Sequence, residues 1–341
     1  MFDLSRISGF ENASITQTDT LQTLWGGYGE LVRLHLRNAP TSSVIIKQIT
    51  LPKPKVHPRG WNTDRSHQRK LDSYQVELNW YQDYANSVSL YNPVPCCLYV
   101  EQRDNELVLV LEDLATAGFP LVKTDVSLDE AKACLTWLAY FHIEHLNTQP
   151  IELWETGTYW HLDTRPDELE ALTDLPLKDA AFKIDQTLKN TRYQTLVHGD
   201  AKLANFCFSE DGKHVAAVDF QYIGKGCGMK DVILFISSCI PPEKCAELES
   251  ELLDHYFEQI KHALGEDQLE TALEIEAEWR PLYCIAWADF HRFVKGWSPE
   301  HWKINEYTEG LKLKALGALG DNGYYSFGLI KAVVHDLYYK I

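Results

Sequence analysis

No Cys-x-x-Cys pair occurs in the 341-residue chain, although eight cysteines are present, at 96, 97, 134, 207, 227, 239, 245 and 284. That spacing excludes the common zinc and dithiol motifs. The ordinary density points to reduced thiols in a cytoplasmic protein. The adjacent pair Cys96-Cys97 reads as strand or turn packing. No apolar run approaches the ~18 residues that span a bilayer. The longest, "DVILFISSCI" from Asp231, is core-sized. The first twenty residues show no basic start followed by an apolar stretch, so a secretory signal is not expected. Internal repeats and low-complexity segments are absent. Positive charge is the scarcer sign, with 32 Lys and Arg against 49 Asp and Glu and a net charge of −17. Such a balance argues against general binding of nucleic acid or anionic membrane.

What is present is the profile of a folded protein: 45% hydrophobic and 24% charged residues, with a length that suits two lobes around one cleft. Charge is uneven along the chain. From Leu31 to Lys70 there are nine Lys or Arg and one acidic residue, whereas from Pro241 to Arg280 there are twelve acidic residues and three basic ones. Two differently charged solvated faces account for this. So does a first part that meets an anion and a second part that attracts a cation.

The first ~115 residues read mainly as strands around one helix and the rest mainly as helices. Strands are expected at 20–25, 31–37 and 42–49, with a turn at "GGYGE" (26–30). A loop is expected over 50–66, which is rich in Pro, Lys and Arg. Leu71, Tyr74, Leu78 and Tyr81 repeat with helical period over 67–85. "CCLYVEQ" and "ELVLVLEDL" suit a hairpin around Asp104-Asn105. Ser127-Leu128-Asp129-Glu130 has the form of a capping box and opens a helix to about His145. Leu248, Leu252, Tyr256 and Ile260 mark another amphipathic helix. An aromatic-rich helix over 278–297 breaks near Pro281.

The densest chemistry lies in "HGDAKLANFCFSEDGKHVAAVDFQ", from His198 to Gln221. Magnesium is a hard cation that takes oxygen ligands, usually one or two from protein and the rest from phosphate and water. Asn205 and Asp219 offer such oxygens from neighbouring segments. Asp200, five residues before Asn205, leaves a carboxylate to orient an attacking hydroxyl and accept its proton. The spacing therefore suits one base and two metal ligands around one phosphoryl group.

His198-Gly199-Asp200, Asn205 and Asp219-Phe220-Gln221 resemble the catalytic loop and metal segment of the protein-kinase-like fold. They resemble most closely its small-molecule branch: aminoglycoside phosphotransferases, choline and ethanolamine kinases and the ecdysteroid-kinase-like group. The resemblance runs from about Leu21 to Trp297. It implies a bilobal α+β fold, with an N-lobe of antiparallel sheet and one helix (1–113) and a mostly helical C-lobe (114–341). It also implies an ATP- and Mg²⁺-dependent transfer to a small-molecule hydroxyl, with the nucleotide between the lobes. Lys47 matches the lysine that holds the α/β-phosphates, and Glu77 the helix glutamate that pairs with it. Backbone near Glu112 and Leu114 matches the hinge that meets adenine, and "LAYFH" (138–142) the long helix before the catalytic loop. Asp231 matches an aspartate that braces that loop; an N-cap role stands beside it. His-Gly-Asp and Asp-Phe-Gln differ from the His-Arg-Asp and Asp-Phe-Gly usual in protein kinases, and no activation segment is evident.

Other positions complete the expected site. Gly26, Gly27, Tyr28 and Gly29 form a turn whose amides can face phosphate, though it is shorter than a Gly-x-Gly-x-x-Gly loop. Lys202, two residues past Asp200, reads either as a surface residue of the loop or as a cation that neutralises the γ-phosphate. Arg59 and Trp61, in the basic loop, could close over the site. His198 and His142 read as packed histidines. Tyr283, Trp287, Phe290 and Val294 have helical spacing and read as core. Trp287 and Asp289 suit an alkylammonium through Coulomb attraction and cation–π contact, or else a buried, paired aspartate. The expected acceptor is a small alcohol, with amino alcohols of the choline or aminoglycoside kind in view. The protein is expected to be a monomer or homodimer without nucleic-acid or membrane partners. A catalytically silent pseudokinase and a metal-dependent phosphohydrolase are the alternatives. The second leaves Lys47, Glu77 and the hinge unexplained.

Overall fold

The structure is a computed structural model that describes residues 3–24, 27–50, 64–85, 90–103 and 105–320. In chain order its elements are β1 (Ser14–Thr23), β2 (Gly29–Arg37), β3 (Ser43–Thr50), α1 (Asp64–Asp83), β4 (Cys97–Arg103), β5 (Glu106–Glu112), β6 (Leu121–Val122), α2 (Leu128–Glu144), α3 (Pro166–Ala171), α4 (Leu175–Lys189), β7 (Thr195–Val197), β8 (Phe206–Phe208), β9 (Val215–Ala217), β10 (Gly224–Gly226), α5 (Met229–Cys239), α6 (Pro242–Leu264), α7 (Leu269–Trp279), α8 (Tyr283–Trp297) and α9 (Glu306–Gly320). They form two compact units. One contains Met1–Lys123 and Phe206–Gln221, the other Thr124–Asn205 and Tyr222–Ile341.

Unit one is built on an antiparallel sheet in the order β1-β2-β3-β5-β4. Strand periodicity of two sorts its side chains. Val44 and Ile46 of β3 join Leu34, Val108 and Val110 in a cluster with Leu4, Ile7 and Phe10. Ile49 belongs to a separate cluster with Tyr74 and Leu78 of α1. Lys47 has the parity of Ile49 and is thereby aimed toward α1. There Glu77, three residues beyond Tyr74, lies on the apolar stripe that the helical period marks.

The expected boundary after residue 113 differs from this grouping, which places 206–221 with the first unit. The reason is a second antiparallel sheet, β6-β8-β9, which ties Leu121–Val122 to Phe206–Phe208 and Val215–Ala217. Phe220 adds to it by stacking on Trp80 of α1 (centroids 4.7 Å apart) and meeting Tyr81 edge-on. The first strand begins earlier than expected, at Ser14, because β1 pairs along the whole of β2 from Ser14–Arg37 to Thr23–Glu30. Most of the expected loop at 50–66, with Arg59 and Trp61, lies outside the described residues, as do Gly26 and Asp104.

Unit two is mostly helical. Ser127 caps α2: its hydroxyl accepts from the Glu130 amide while the Glu130 carboxylate accepts from the Ser127 amide, the reciprocal bonding that its sequence foretold. α7 ends at Trp279, a 3₁₀ turn carries Pro281, and α8 follows. Every residue of α8 from Tyr283 to Val294 is buried, so this helix is enclosed on all sides. β7 pairs with β10. Among the described residues no helix is long and apolar enough to cross a membrane.

Candidate active site

In unit one the Lys47 ammonium donates to both Glu77 carboxylate oxygens, at 2.9 and 2.7 Å, and to Asp219 Oδ1 at 3.2 Å. Lys47 is 6% exposed and Glu77 2%. Burial alone would lower the Lys47 pKa; the Glu77 and Asp219 carboxylates outweigh it and raise it, so the amine stays charged. Asp219 lies past the end of β9 with φ of +69°, a left-handed conformation that a non-glycine residue holds only where its surroundings impose it. The Gln221 amide donates to its Oδ1 at 2.5 Å. Gln221 Oε1 in turn accepts from Lys70 of α1 at 2.7 Å. The Gln of Asp-Phe-Gln thus links the aspartate to a second lysine.

The remaining expected residues of this unit are placed as follows. Gly29 has φ of +149°, and a Cβ there would sit 1.9 Å from the Gln48 carbonyl oxygen, so only glycine fits this approach of β2 to β3. Gly27 also has positive φ. The Tyr28 hydroxyl bonds His67 Nδ1 of α1 at 2.7 Å, which gives this side chain an intramolecular partner. At the segment after β5, the Glu112 amide donates to the Cys96 carbonyl, and the Leu114 carbonyl accepts from Ala117 and Phe119. Asp113 between them is buried. It takes two bonds from Arg33, at 2.6 and 3.1 Å, and one from the Ser43 hydroxyl at 2.6 Å. Sequence reading passed over Asp113: its partners lie 80 and 70 residues away, and no local pattern announces them.

In unit two the loop after β7 carries the other cluster. Gly199 has φ of +80°, and a Cβ on it would meet the Tyr222 carbonyl oxygen at 2.0 Å and the Thr158 amide at 2.9 Å. That is the local reason for His-Gly-Asp rather than any bulkier middle residue. Asp231 accepts from the His198 amide (2.6 Å), the Gly199 amide (2.9 Å) and His142 Nε2 (3.1 Å), and is fully buried. His142 Nδ1 faces the Tyr256 hydroxyl at 2.7 Å. Asp231 makes no capping bond to its own helix; its carboxylate fastens two successive amides of the loop. His198 Nδ1 accepts from the Asp200 amide, and the ring is packed against Trp137. Ser238 of α5 adds a bond to the Leu203 amide at 2.8 Å, a support that sequence reading did not foresee.

Asp200 is 6% exposed. Its Oδ2 accepts from Lys202 Nζ at 2.7 Å and from Asn205 Nδ2 at 3.2 Å. Asn205 Nδ2 also donates to the Asp200 carbonyl at 2.8 Å. Both amide N–H bonds of Asn205 are thus made to Asp200. Among the described residues no group of three or more His, Cys, Asp or Glu could hold a metal by itself.

Trp287 and Asp289 do not form the expected cation site. Asp289 is 1% exposed and bonded to Arg292 at 2.9 Å and to Trp160 Nε1 at 3.0 Å, with Lys230 at 3.6 Å. Burial would raise its pKa, but Arg292 and Lys230 outweigh it and hold it down. Two cations already satisfy this carboxylate, so the buried, paired reading is the correct one.

A model of the ecdysteroid kinase-like family matches residues 37–144 and 159–268. No curated protein matches the chain. Solved structures similar to it include amicoumacin kinase hAmiN in complex with AMP-PNP, Ca²⁺ and Ami (14% identity, 90% of this chain and 89% of that one, TM-score 0.47). Also similar are the choline kinase LicA from Streptococcus pneumoniae (14%, 91% and 95%, 0.42) and an ethanolamine kinase from Plasmodium vivax (12%, 91% and 82%, 0.46).

Proposed function

The chain belongs to the ecdysteroid kinase-like family, of protein-kinase-like α+β fold, and on that premise we propose that it transfers the γ-phosphoryl group of ATP to a hydroxyl of a small molecule. The observation that carries this reading is the Lys47 ammonium held by both oxygens of Glu77 and by Asp219. A buried cation fixed in this way is a preorganised phosphate contact, since its geometry is already set before the nucleotide arrives. Lys47 then holds the α/β-phosphates. The turn at 27–29 and the backbone near Glu112 and Leu114 contribute to binding the nucleotide. Asn205 and Asp219 are the residues that would hold Mg²⁺, which would supply neutralisation of the phosphate charge.

Asp200 orients the acceptor hydroxyl and takes its proton. In such transfers positioning and charge stabilisation dominate over covalent chemistry. Lys202, bonded to Asp200, moves toward the γ-phosphate as negative charge gathers there. Asp231 holds the amides of His198 and Gly199, and so the loop that aims Asp200. Transfer of ³²P from [γ-³²P]ATP to a pooled library of small alcohols tests the reading, with Asp200→Asn as control. The variant is expected to melt at the wild-type temperature and bind ATP normally while losing on the order of 10²-fold or more in turnover. Wild-type turnover in the variant refutes the assignment of Asp200.

A further inference from the structure

One face of α1 carries Lys70, Ser73, Tyr74, Glu77, Trp80 and Tyr81, which recur at the three- and four-residue steps of a helix. The whole Asp219-Phe220-Gln221 segment is fastened to that face. Glu77 reaches Asp219 through the Lys47 ammonium, and Phe220 packs on Trp80 and Tyr81. Gln221, 6% exposed, completes the set. Its Oε1 accepts from Lys70 Nζ at 2.7 Å, with the Ser73 hydroxyl at 3.4 Å, and its Nε2 donates to Asp219 Oδ1 at 2.5 Å. The Lys70 ammonium also lies 4.5 Å from the centroid of the Tyr74 ring. A lysine only donates and a carboxylate only accepts, so one orientation of the amide serves both neighbours. Each bond is to a charged group, and the lysine polarises the amide that donates to the aspartate. Lys47 and Gln221 both bond Oδ1, which fixes the rotation of the carboxylate, while φ of +69° sets its backbone.

We propose that Gln221, held by Lys70, is the positioning residue of Asp219: a neutral relay that aims this carboxylate without cancelling its charge. The proposal rests on the phosphotransferase reading, in which Asp219 would meet the metal of the nucleotide, and adds two residues to it. Asp289 shows the alternative. With Arg292 bonded and Lys230 at 3.6 Å, its charge is matched twice over, and a further cation gains little there. At Asp219 the Lys47 ammonium bonds the carboxylate but is shared with both oxygens of Glu77. The charge of Lys70 is kept one amide away, so the relay leaves Asp219 its negative charge for an incoming cation. Glycine at 221, as in the Asp-Phe-Gly usual in protein kinases, would supply neither bond. An ionised glutamate can accept from Lys70 but cannot donate to Asp219, and a lysine would neutralise the aspartate.

The test is the coupling between magnesium and nucleotide. The affinity of AMP-PNP, a non-hydrolysable ATP analogue, is measured calorimetrically in EDTA and across a magnesium titration, with melting temperatures checking each fold. Gln221→Met, of similar length, is expected to weaken binding in magnesium about tenfold or more, as losing an outer partner of a metal ligand does. It should leave the affinity in EDTA unchanged. Lys70→Met should weaken binding in magnesium less, and Lys70→Arg should keep the wild-type response. Lys70→Met combined with Gln221→Met should be no worse than Gln221→Met alone, because both act through one bond. A wild-type magnesium response in Gln221→Met refutes the relay and leaves the phosphotransferase reading intact. Equal losses with and without magnesium, or strictly additive effects in the double variant, refute it as well, since they mark a general packing role. If the wild-type protein itself binds AMP-PNP with no response to magnesium, or does not bind it, the phosphotransferase reading fails first and the relay falls with it.

Discussion

The two clusters that share the expected chemistry are constructed in opposite ways. In unit one, Lys47, Glu77 and Asp219 come from a strand, a helix and the segment after another strand, 30 and 172 positions apart, and are joined by a buried ion pair. In unit two, Asp200, Lys202 and Asn205 lie within six residues of one another, and the loop itself sets their geometry. That loop is tied from outside by the buried carboxylate of Asp231 and by the Ser238 hydroxyl. The first cluster depends on charges staying paired. The second depends on a backbone path that only certain residues can follow. Function therefore has two different vulnerabilities in one chain.

The largest expected effect breaks the charge pairing. Lys47→Met leaves Glu77 buried beside Asp219 without its cation and should cost about 3–5 kcal/mol of stability in urea unfolding. Adding Glu77→Leu should recover most of this loss, because an apolar pair of similar volume needs no solvation. If the double variant is no more stable than the single one, the pairing is not what the site depends on.

Breaking the backbone path comes next. Gly199→Ala must place a Cβ against the Tyr222 carbonyl in a left-handed conformation, which should cost roughly 3 kcal/mol. It should also lower turnover more than Ser238→Ala, which removes one supporting bond. Equal turnover in both would show that the loop is less strictly aimed than its geometry implies.

The same distinction extends to the helical unit at acid pH. Asp174 caps α4 and bonds Lys295 and Lys312 at 2.7 and 2.8 Å. Burial would raise its carboxyl, but the two lysines outweigh it and hold it at about 2, below the usual 3.8. A folded-state pKa below the unfolded one stabilises above the unfolded value and loses that contribution as pH falls through the folded one. Asp174→Asn should therefore lower the melting temperature at pH 6 and make little difference near pH 2. The smallest effect is Ser127→Ala, which removes the α2 cap and should cost about 1 kcal/mol in the same unfolding assay.

The elements were largely legible because their signals are local. The alternation in "LVRLHLR", the Ser127–Glu130 box and the Pro281 break each act over a few residues and recur in the structure as β2, the α2 cap and the turn before α8. Lys47 and Glu77 were legible for a different reason: the order and spacing of the motifs placed them on a strand and a helix before any packing was known. Asp289 stayed open between two readings because an aspartate in an aromatic helix looks the same in sequence whether it is paired or open. Arg292, three residues on, hinted at the answer, but Lys230 and Trp160 had no signature.

The sequence alone determined where most strands and helices run, because periodicity, capping and turn conformation act through nearest neighbours along the chain. Tertiary structure alone decided which buried charges are paired and with what. It also decided that 206–221 packs with the first unit. Those outcomes depend on distances between residues far apart in sequence, where burial and the Coulomb interaction set the energy.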